Sequence, residues 1–282
     1  MVVIPAHVLK EAEIDNEASI LPVSGGDSNQ SFQIRGEHNR YFLKWREDPP
    51  PRLFQKEARQ LSMLGNAVGV NVPEIARYGD HYLLLSWIEG NAASWTEEKL
   101  GEMIADLHRE KGEYFGFDED NFIGTLPQYN AMTDRWIEFY GNYRLLPQME
   151  EADKRGRLPK ERGKKAHQLV EKLHKWLSEP AYPALLHGDL WAGNWLVGPD
   201  GSPYVIDPAV SYGDPAFDRA MMALFGGYSA RTMGSYDAKV KRDEREEDIL
   251  PLYQLYFLFA HLNMFGEMYG SSVDRILRRY VG

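Results

Sequence analysis

Cysteine is absent from the 282 residues. That excludes a disulfide framework, a thiolate nucleophile and a thiol redox switch, and it suits a reducing compartment. An excess of positive charge is lacking too: 32 Lys and Arg stand against 42 Asp and Glu, a formal charge of −10. A surface built mainly to hold nucleic acid or anionic lipid needs clustered cations, so neither partner is expected. One basic run, "KRGRLPKERGKK" from Lys154 to Lys165, has no interleaved aromatics. It reads as a solvated loop opening the next helix rather than as a single-strand binding site. The N-terminus, "MVVIPAHVLKEAEIDNEAS", turns acidic before the apolar centre of an export signal can form, so a cytoplasmic protein is expected. The most hydrophobic stretch, Ile249 to Phe265, contains Gln254, His261 and Asn263. It is too short and too polar to span a bilayer and is expected to be a buried core helix.

The chain is long enough for one large domain or two modest ones with a well-buried core. "SFQIRG" and "RYFLKW" alternate apolar and polar residues around the turn-like "EHN", which predicts an antiparallel hairpin. "EDPPPRLFQKEARQLSMLG" predicts a helix over Pro51 to Leu64, with Asp48 as a candidate N-cap and Gly65 as a stop. Two further strands are predicted around "PEIARYGD" and "HYLLLSWIEG". Beyond them "SWTEEKLGEMIADLHRE" has Ser94 and Glu97 at capping-box spacing, and helices are predicted around "MTDRWIEFYGNYRLLPQMEEA", "KKAHQLVEKLHKWLSE" and from about Pro215 to the end. The plan is a small β-rich lobe followed by a large helical one.

Glu57 shares the helical stripe of Phe54 and Leu61, and Lys44 near the end of the second strand is a cation that could pair with it. Taken alone, the pair reads more readily as an edge lysine and a glutamate flanking the core. Gly25 and Gly26 in "SGGDSNQS" could present backbone N–H groups to phosphate, although the spacing is neither a Walker loop nor GxGxxG. In "LLHGDLWAGNWLVGPDGSPYVIDPA", "WLV" and "YVI" form a predicted hairpin that brings Asn194 near Asp207, two hard oxygen donors of the type Mg²⁺ prefers. Asp189, five residues before Asn194, is placed to accept the proton of an attacking hydroxyl. The order of glycine loop, hairpin, strand lysine and helix glutamate matches the phosphate-holding half of a protein-kinase-type nucleotide site.

"HGDLWAGN" with "IDPA" and "YGDPAFDRAMMALFGG" resembles the fructosamine/ketosamine kinase family, within the protein-kinase-like small-molecule kinases. "FLKW", "EARQLSML", "MIADLH" and "FGFDEDNFIGTLPQ" extend the similarity over nearly the whole chain. The resemblance implies an α+β, bilobal protein-kinase-like fold. A nucleotide-binding lobe of small antiparallel sheet and one helix would cover residues 1–88, and a large, mainly helical lobe residues 89–282. It implies ATP and Mg²⁺ as cofactors. Asp189 would be the catalytic base, with Asn194 and Asp207 as metal ligands. Lys44 would hold the α/β-phosphates, oriented by Glu57, and the segment Ser86, Trp87, Ile88 and Glu89 would lie as a hinge against adenine. Trp191 is either a wall of the acceptor site or a packing residue. The implied acceptor is a small-molecule ketosamine or a glycated lysine, phosphorylated on a sugar hydroxyl for repair or salvage of glycated amines.

The departures from protein kinases are informative. The chain has His187, Gly188 and Asp189 where they carry His-Arg-Asp, and Asp207, Pro208 and Ala209 where they carry Asp-Phe-Gly. There is no Ala-Pro-Glu and no long phosphorylatable segment after Asp207, so regulation through a phosphorylated loop is not expected. Some family members carry a cysteine in the glycine loop, where this sequence has Asp27. The rival readings are a kinase for another small alcohol (aminoglycoside, choline, homoserine or a methylthio-sugar) and a non-catalytic nucleotide-binding pseudokinase.

Overall fold

Alternation along the first hairpin creates a sheet with two buried faces. A computed structural model describes residues 4–15, 17–23 and 30–282. Among them β1 (Ser19–Pro22), β2 (Gln30–Arg35), β3 (Arg40–Trp45), β4 (Ile75–Tyr78) and β5 (Tyr82–Ser86) form an antiparallel sheet in the order β1-β2-β3-β5-β4. One face carries Phe32, Ile34, Leu43 and Trp45, covered by Val8 of the short helix α1 (Ala6–Glu11). The other face presents Phe42, Leu83 and Leu85 to Phe54, Ala58 and Leu61 of α2 (Leu53–Asn66). Because side chains alternate along a strand, Lys44 lies on this second face with Phe42 and points at α2. Phe54 and Leu61 are fully buried. Truncating either to Ala would cost about 2–5 kcal/mol and loosen the helix that carries Glu57.

The chain then crosses to a helical region. Gly90 makes the crossing possible, since a Cβ there would lie 1.7 Å from the Gly198 carbonyl oxygen. α3 (Thr96–Leu107) leads to four short strands, β6 (Phe115–Gly116), β7 (Asn121–Ile123), β8 (Leu126–Gln128) and β9 (Met132–Thr133). α4 (Trp136–Phe139) runs through a π-helical turn into α5 (Leu146–Lys154), and α6 (Lys160–Glu171) follows. Next come β10 (Ala184–Leu186), the hairpin of β11 (Trp195–Val197) and β12 (Pro203–Val205), and β13 (Ser211–Gly213). The chain ends in α7 (Pro215–Phe225), α8 (Ala230–Lys239), α9 (Glu246–Phe265) and α10 (Gly270–Val281). As its composition predicts, α9 is a core helix: Tyr253, Tyr256 and Phe257 pack on Phe217 of α7. No helix of the described residues is long and apolar enough to cross a membrane.

Local signals failed where distant groups took over. The capping box at Ser94 and Glu97 does not form. α3 starts at Thr96, whose hydroxyl accepts from Ala93 N at 2.8 Å and donates to the Gly201 carbonyl at 2.7 Å, while Glu97 accepts the Ser229 hydroxyl. Asp48 does not cap α2, which begins at Leu53 behind Arg52 in a left-handed conformation (φ 60°) and continues past Gly65 to Asn66. Gly65 instead allows close packing, because a Cβ there would meet Val72 at 2.7 Å. The basic run is not simply solvated. Arg162 is buried and ion-paired to Glu267 and Asp274, and Arg157 donates to the Leu262 and Asn263 carbonyls.

Candidate active site

The site lies where the sheet, α2 and the β11–β12 hairpin converge on a cavity of about 880 Å³. Lys44, paired with Leu83 across β5, donates to Glu57 at 2.5 Å and to Asp207. Its side chain is 7% exposed. Burial alone would push the ammonium down, but the charges of Asp207 and Glu57 and the hydrogen bonds to both hold it above its ordinary value.

The second half of the site is built from the segment between β10 and β13. β10 ends at Leu186, and His187 follows it, its burial pushing the imidazole pKa down. Its Nε2 lies 2.9 Å from the Ile206 carbonyl and its Nδ1 3.3 Å from the Asp189 N–H. A carbonyl only accepts and a backbone N–H only donates, so the partners fix the neutral tautomer with the proton on Nε2. Gly188 follows at φ 83°, and a Cβ there would be 1.9 Å from the Ala209 oxygen. No larger residue, arginine included, fits this contact between the Asp189 and Asp207 segments.

Asp189 is partly buried and faces the cavity. Burial, then the charge of Asp207, pushes its carboxyl from the ordinary 3.8 up to about 7, against the lowering effect of the Asn194 amide. Asn194 Nδ2 donates to the Asp189 carbonyl at 2.8 Å and to its carboxylate at 3.1 Å. With the amide nitrogen so engaged, the amide oxygen is what Asn194 has to offer a cation. The hairpin pairs Trp195 with Val205, and Ile206 N–H donates to the Asn194 carbonyl at 3.0 Å. Asn194 and Asp207 are thereby brought side by side, with Asp207 in a left-handed conformation (φ 56°) that is uncommon outside glycine and that aspartate tolerates better than most residues. Among the described residues no group of three or more His, Cys, Asp or Glu forms a metal cage. Two oxygen donors beside a cavity with room for a nucleotide fit Mg²⁺, which commonly shares its coordination with nucleotide phosphates and water.

The remaining candidates are distributed unevenly. Ser86, Trp87 and Ile88 line the cavity. Trp87 N–H donates to the Arg40 carbonyl, and Ser86 exchanges backbone and side-chain hydrogen bonds with Glu74. Glu89 is not among the lining residues; its carboxylate accepts from Arg40 at 2.5 Å and from Trp87 at 3.3 Å. Gly25 and Gly26 lie outside the described residues. Trp191 lines the cavity edge-on to Phe225 at 6.4 Å between ring centroids. Gly193 permits that pose, since a Cβ there would meet the indole at 2.3 Å.

Some groups were not found from sequence. Asp218, fully buried on α7, accepts the His187 and Gly188 N–H groups at 2.7 and 2.8 Å and so holds the loop carrying Asp189. Its only local signal is a carboxylate on the apolar face of a helix. The aromatic wall that continues from Phe225 through His261 to Phe265 and Tyr269 comes from α7, α9 and the turn after α9, and no spacing rule joins them.

Residues 2–282 match the family model for fructosamine kinase. The chain belongs to the fructosamine kinase family. This family member is 37% identical over 278 residues to the "Probable ketoamine kinase" of Enterococcus faecium, covering 97% of this chain and 98% of that one. It is 29% identical to the chloroplastic protein-ribulosamine 3-kinase of Arabidopsis thaliana over 97% of this chain and 86% of the relative. The crystal structure of a "putative fructosamine-3-kinase" from Thermobifida fusca superposes with a TM-score of 0.87 at 30% identity, covering 97% and 96% of the two chains. An ADP-bound aminoglycoside phosphotransferase superposes with a TM-score of 0.62 at 16% identity over 96% and 95%, which shows the shared fold alone. This fructosamine kinase family member is an ATP-dependent phosphotransferase with a bilobal, protein-kinase-like fold.

Proposed function

We propose that the enzyme transfers the γ-phosphoryl group of ATP to a sugar hydroxyl of a ketosamine, the 3-hydroxyl of a fructosamine or ribulosamine, in repair or salvage of glycated amines. The observation that carries this reading is the partly buried Asp189, hydrogen-bonded to Asn194, in one cavity with Lys44 and with an aromatic wall. The proposed division near residue 88 assigns nucleotide binding to the first lobe and the acceptor to the second, in a cytoplasmic protein.

In this mechanism Lys44, oriented by Glu57, neutralises the α/β-phosphates, and residues Ser86 to Glu89 border adenine. Asn194 and Asp207 hold Mg²⁺, which when bound offsets the charge on the phosphate oxygens. Asp189 aligns the acceptor hydroxyl and takes its proton as the new P–O bond forms and the bond from the γ-phosphorus to the bridging oxygen breaks; ADP leaves with that electron pair.

The acceptor end of the cavity supports a sugar amine over a polycationic aminoglycoside. Among the described lining residues the only carboxylates are Glu57, Asp189 and Asp207, all at the reaction centre. The outer wall is Trp191, Phe225, His261, Phe265, Met268 and Tyr269. Aromatic faces suit the C–H face of a sugar and a single amine, whereas several ammonium groups call for several carboxylates. The mouth is open, with Met268 76% exposed, so a glycated lysine side chain can enter from outside. A coupled assay for ADP release over an acceptor panel tests this reading. Fructosyl- and ribulosyl-lysine are expected to turn over. Turnover of choline or an aminoglycoside with none of the ketosamines would contradict it, and no turnover of any acceptor would favour a pseudokinase.

A further inference from the structure

Lys44 meets two carboxylates from distant parts of the chain, Glu57 on α2 and Asp207 after β12, so its geometry depends on what keeps those two segments in register. A buried amide joins them directly. Gln60, one turn beyond Glu57 and 3% exposed, accepts the Val210 N–H at 2.7 Å through Oε1. The same oxygen accepts Asn121 Nδ2 at 2.8 Å, and that nitrogen also donates to the Val210 carbonyl at 2.9 Å. Gln128, opposite Asn121 in the β7–β8 hairpin, donates to the Ala209 carbonyl at 3.1 Å and to Asn121 Oδ1 at 2.8 Å, and accepts the Tyr256 hydroxyl at 2.6 Å.

Both backbone groups of Val210 and the carbonyl of Ala209 are therefore held by side-chain amides, within three residues of Asp207. Asn121 and Gln128 are 1% and 2% exposed. Buried amides are costly unless satisfied, and these donors and acceptors complement one another. What they grip is the stretch that follows Asp207, whose left-handed φ of 56° sets the direction in which the chain leaves the hairpin.

We propose that Gln60, Asn121 and Gln128 are positioning residues that set Asp207 against Lys44 and Asn194. The phosphate- and metal-facing groups are thereby assembled in the resting enzyme, with α2 tied in place rather than free to swing. The inference rests on Asp207 being a partner of Lys44 and a metal ligand.

The test is calorimetric titration of the full-length protein with ADP, with and without Mg²⁺, alongside steady-state kinetics. In Gln60→Ala and Gln128→Ala the gain in ADP affinity conferred by Mg²⁺ is expected to shrink about tenfold, with metal-free ADP affinity and acceptor KM near wild type and kcat lowered about tenfold. Tyr256→Phe removes one hydroxyl at the far end of the network and keeps the packing; a shift of about two- to threefold in the same direction is expected. It provides the test if the alanine variants do not fold. Folded variants that melt earlier but keep the wild-type Mg²⁺ gain and kcat would make the amides purely structural and overturn the proposal. If the wild type shows no Mg²⁺ gain, the metal reading fails, and the clamp is then judged by kcat: a drop at constant acceptor KM supports it, an unchanged kcat overturns it.

Discussion

Asp189 and Asp218 flank the same loop and are treated in opposite ways. Asp218 is fully buried and saturated with donors: two backbone N–H groups and the His108 imidazole, whose other nitrogen meets the Tyr236 hydroxyl at 2.9 Å. Asp189 receives one side-chain amide donor, faces a cavity and has Asp207 and Asp218 as like-charged neighbours. A carboxylate given every partner it can use is a structural anchor. One that is desolvated and left short of donors is poised to take a proton. The molecule uses the first to aim the second.

The comparison can be broken most severely at Gly188, which lies between the two carboxylates. Gly188→Ala puts a methyl 1.9 Å from the Ala209 oxygen at a backbone φ of 83°. We expect turnover to fall about a hundredfold or more and the melting temperature to drop by roughly 5–10 °C, read by the coupled assay and calorimetry. Asp218→Asn comes next. It exchanges a charged acceptor for an amide whose nitrogen faces at least one N–H donor. A loss of about 3 kcal/mol, or roughly 6–10 °C, is expected, with kcat lowered by about tenfold because the Asp189 loop loses its anchor.

These expectations mark what was legible in the sequence. The spacing of Asp189, Asn194 and Asp207 around a hairpin turn brought together three groups that the structure does place together, because one short local element carries them. Lys44 and Glu57 were legible because strand alternation and helical period each select a buried face, and the two faces meet. Asp218 and Gln60 were not, since their partners lie 30 and 150 residues away and only the fold supplies them. The same distance effect moved the start of α3, where the Gly201 carbonyl claimed the Thr96 hydroxyl. The role of Gly188 was invisible until the close approach of Ala209 was known; the sequence alone displays only the missing arginine.

The smallest effect sharpens the comparison through pH. Between the ordinary 3.8 and about 7, folded Asp189 keeps a proton that the unfolded chain has released, so its contribution to stability falls as the pH rises through that window. Asp189→Asn removes that loss. Its melting temperature is expected to match wild type near pH 4, to rise above it with increasing pH, and to level off beyond about pH 7. A variant less stable than wild type at pH 8 would show that Asp189 is an anchor like Asp218.

The most direct test of the central claim pairs two readings on Asp189→Asn: turnover with the best ketosamine acceptor and the calorimetric Kd for ADP with Mg²⁺. A base that touches only the acceptor hydroxyl predicts turnover reduced by about 10²- to 10⁴-fold, with the Kd within about twofold of wild type. Turnover within about tenfold of wild type, or parallel loss of nucleotide binding, would contradict it.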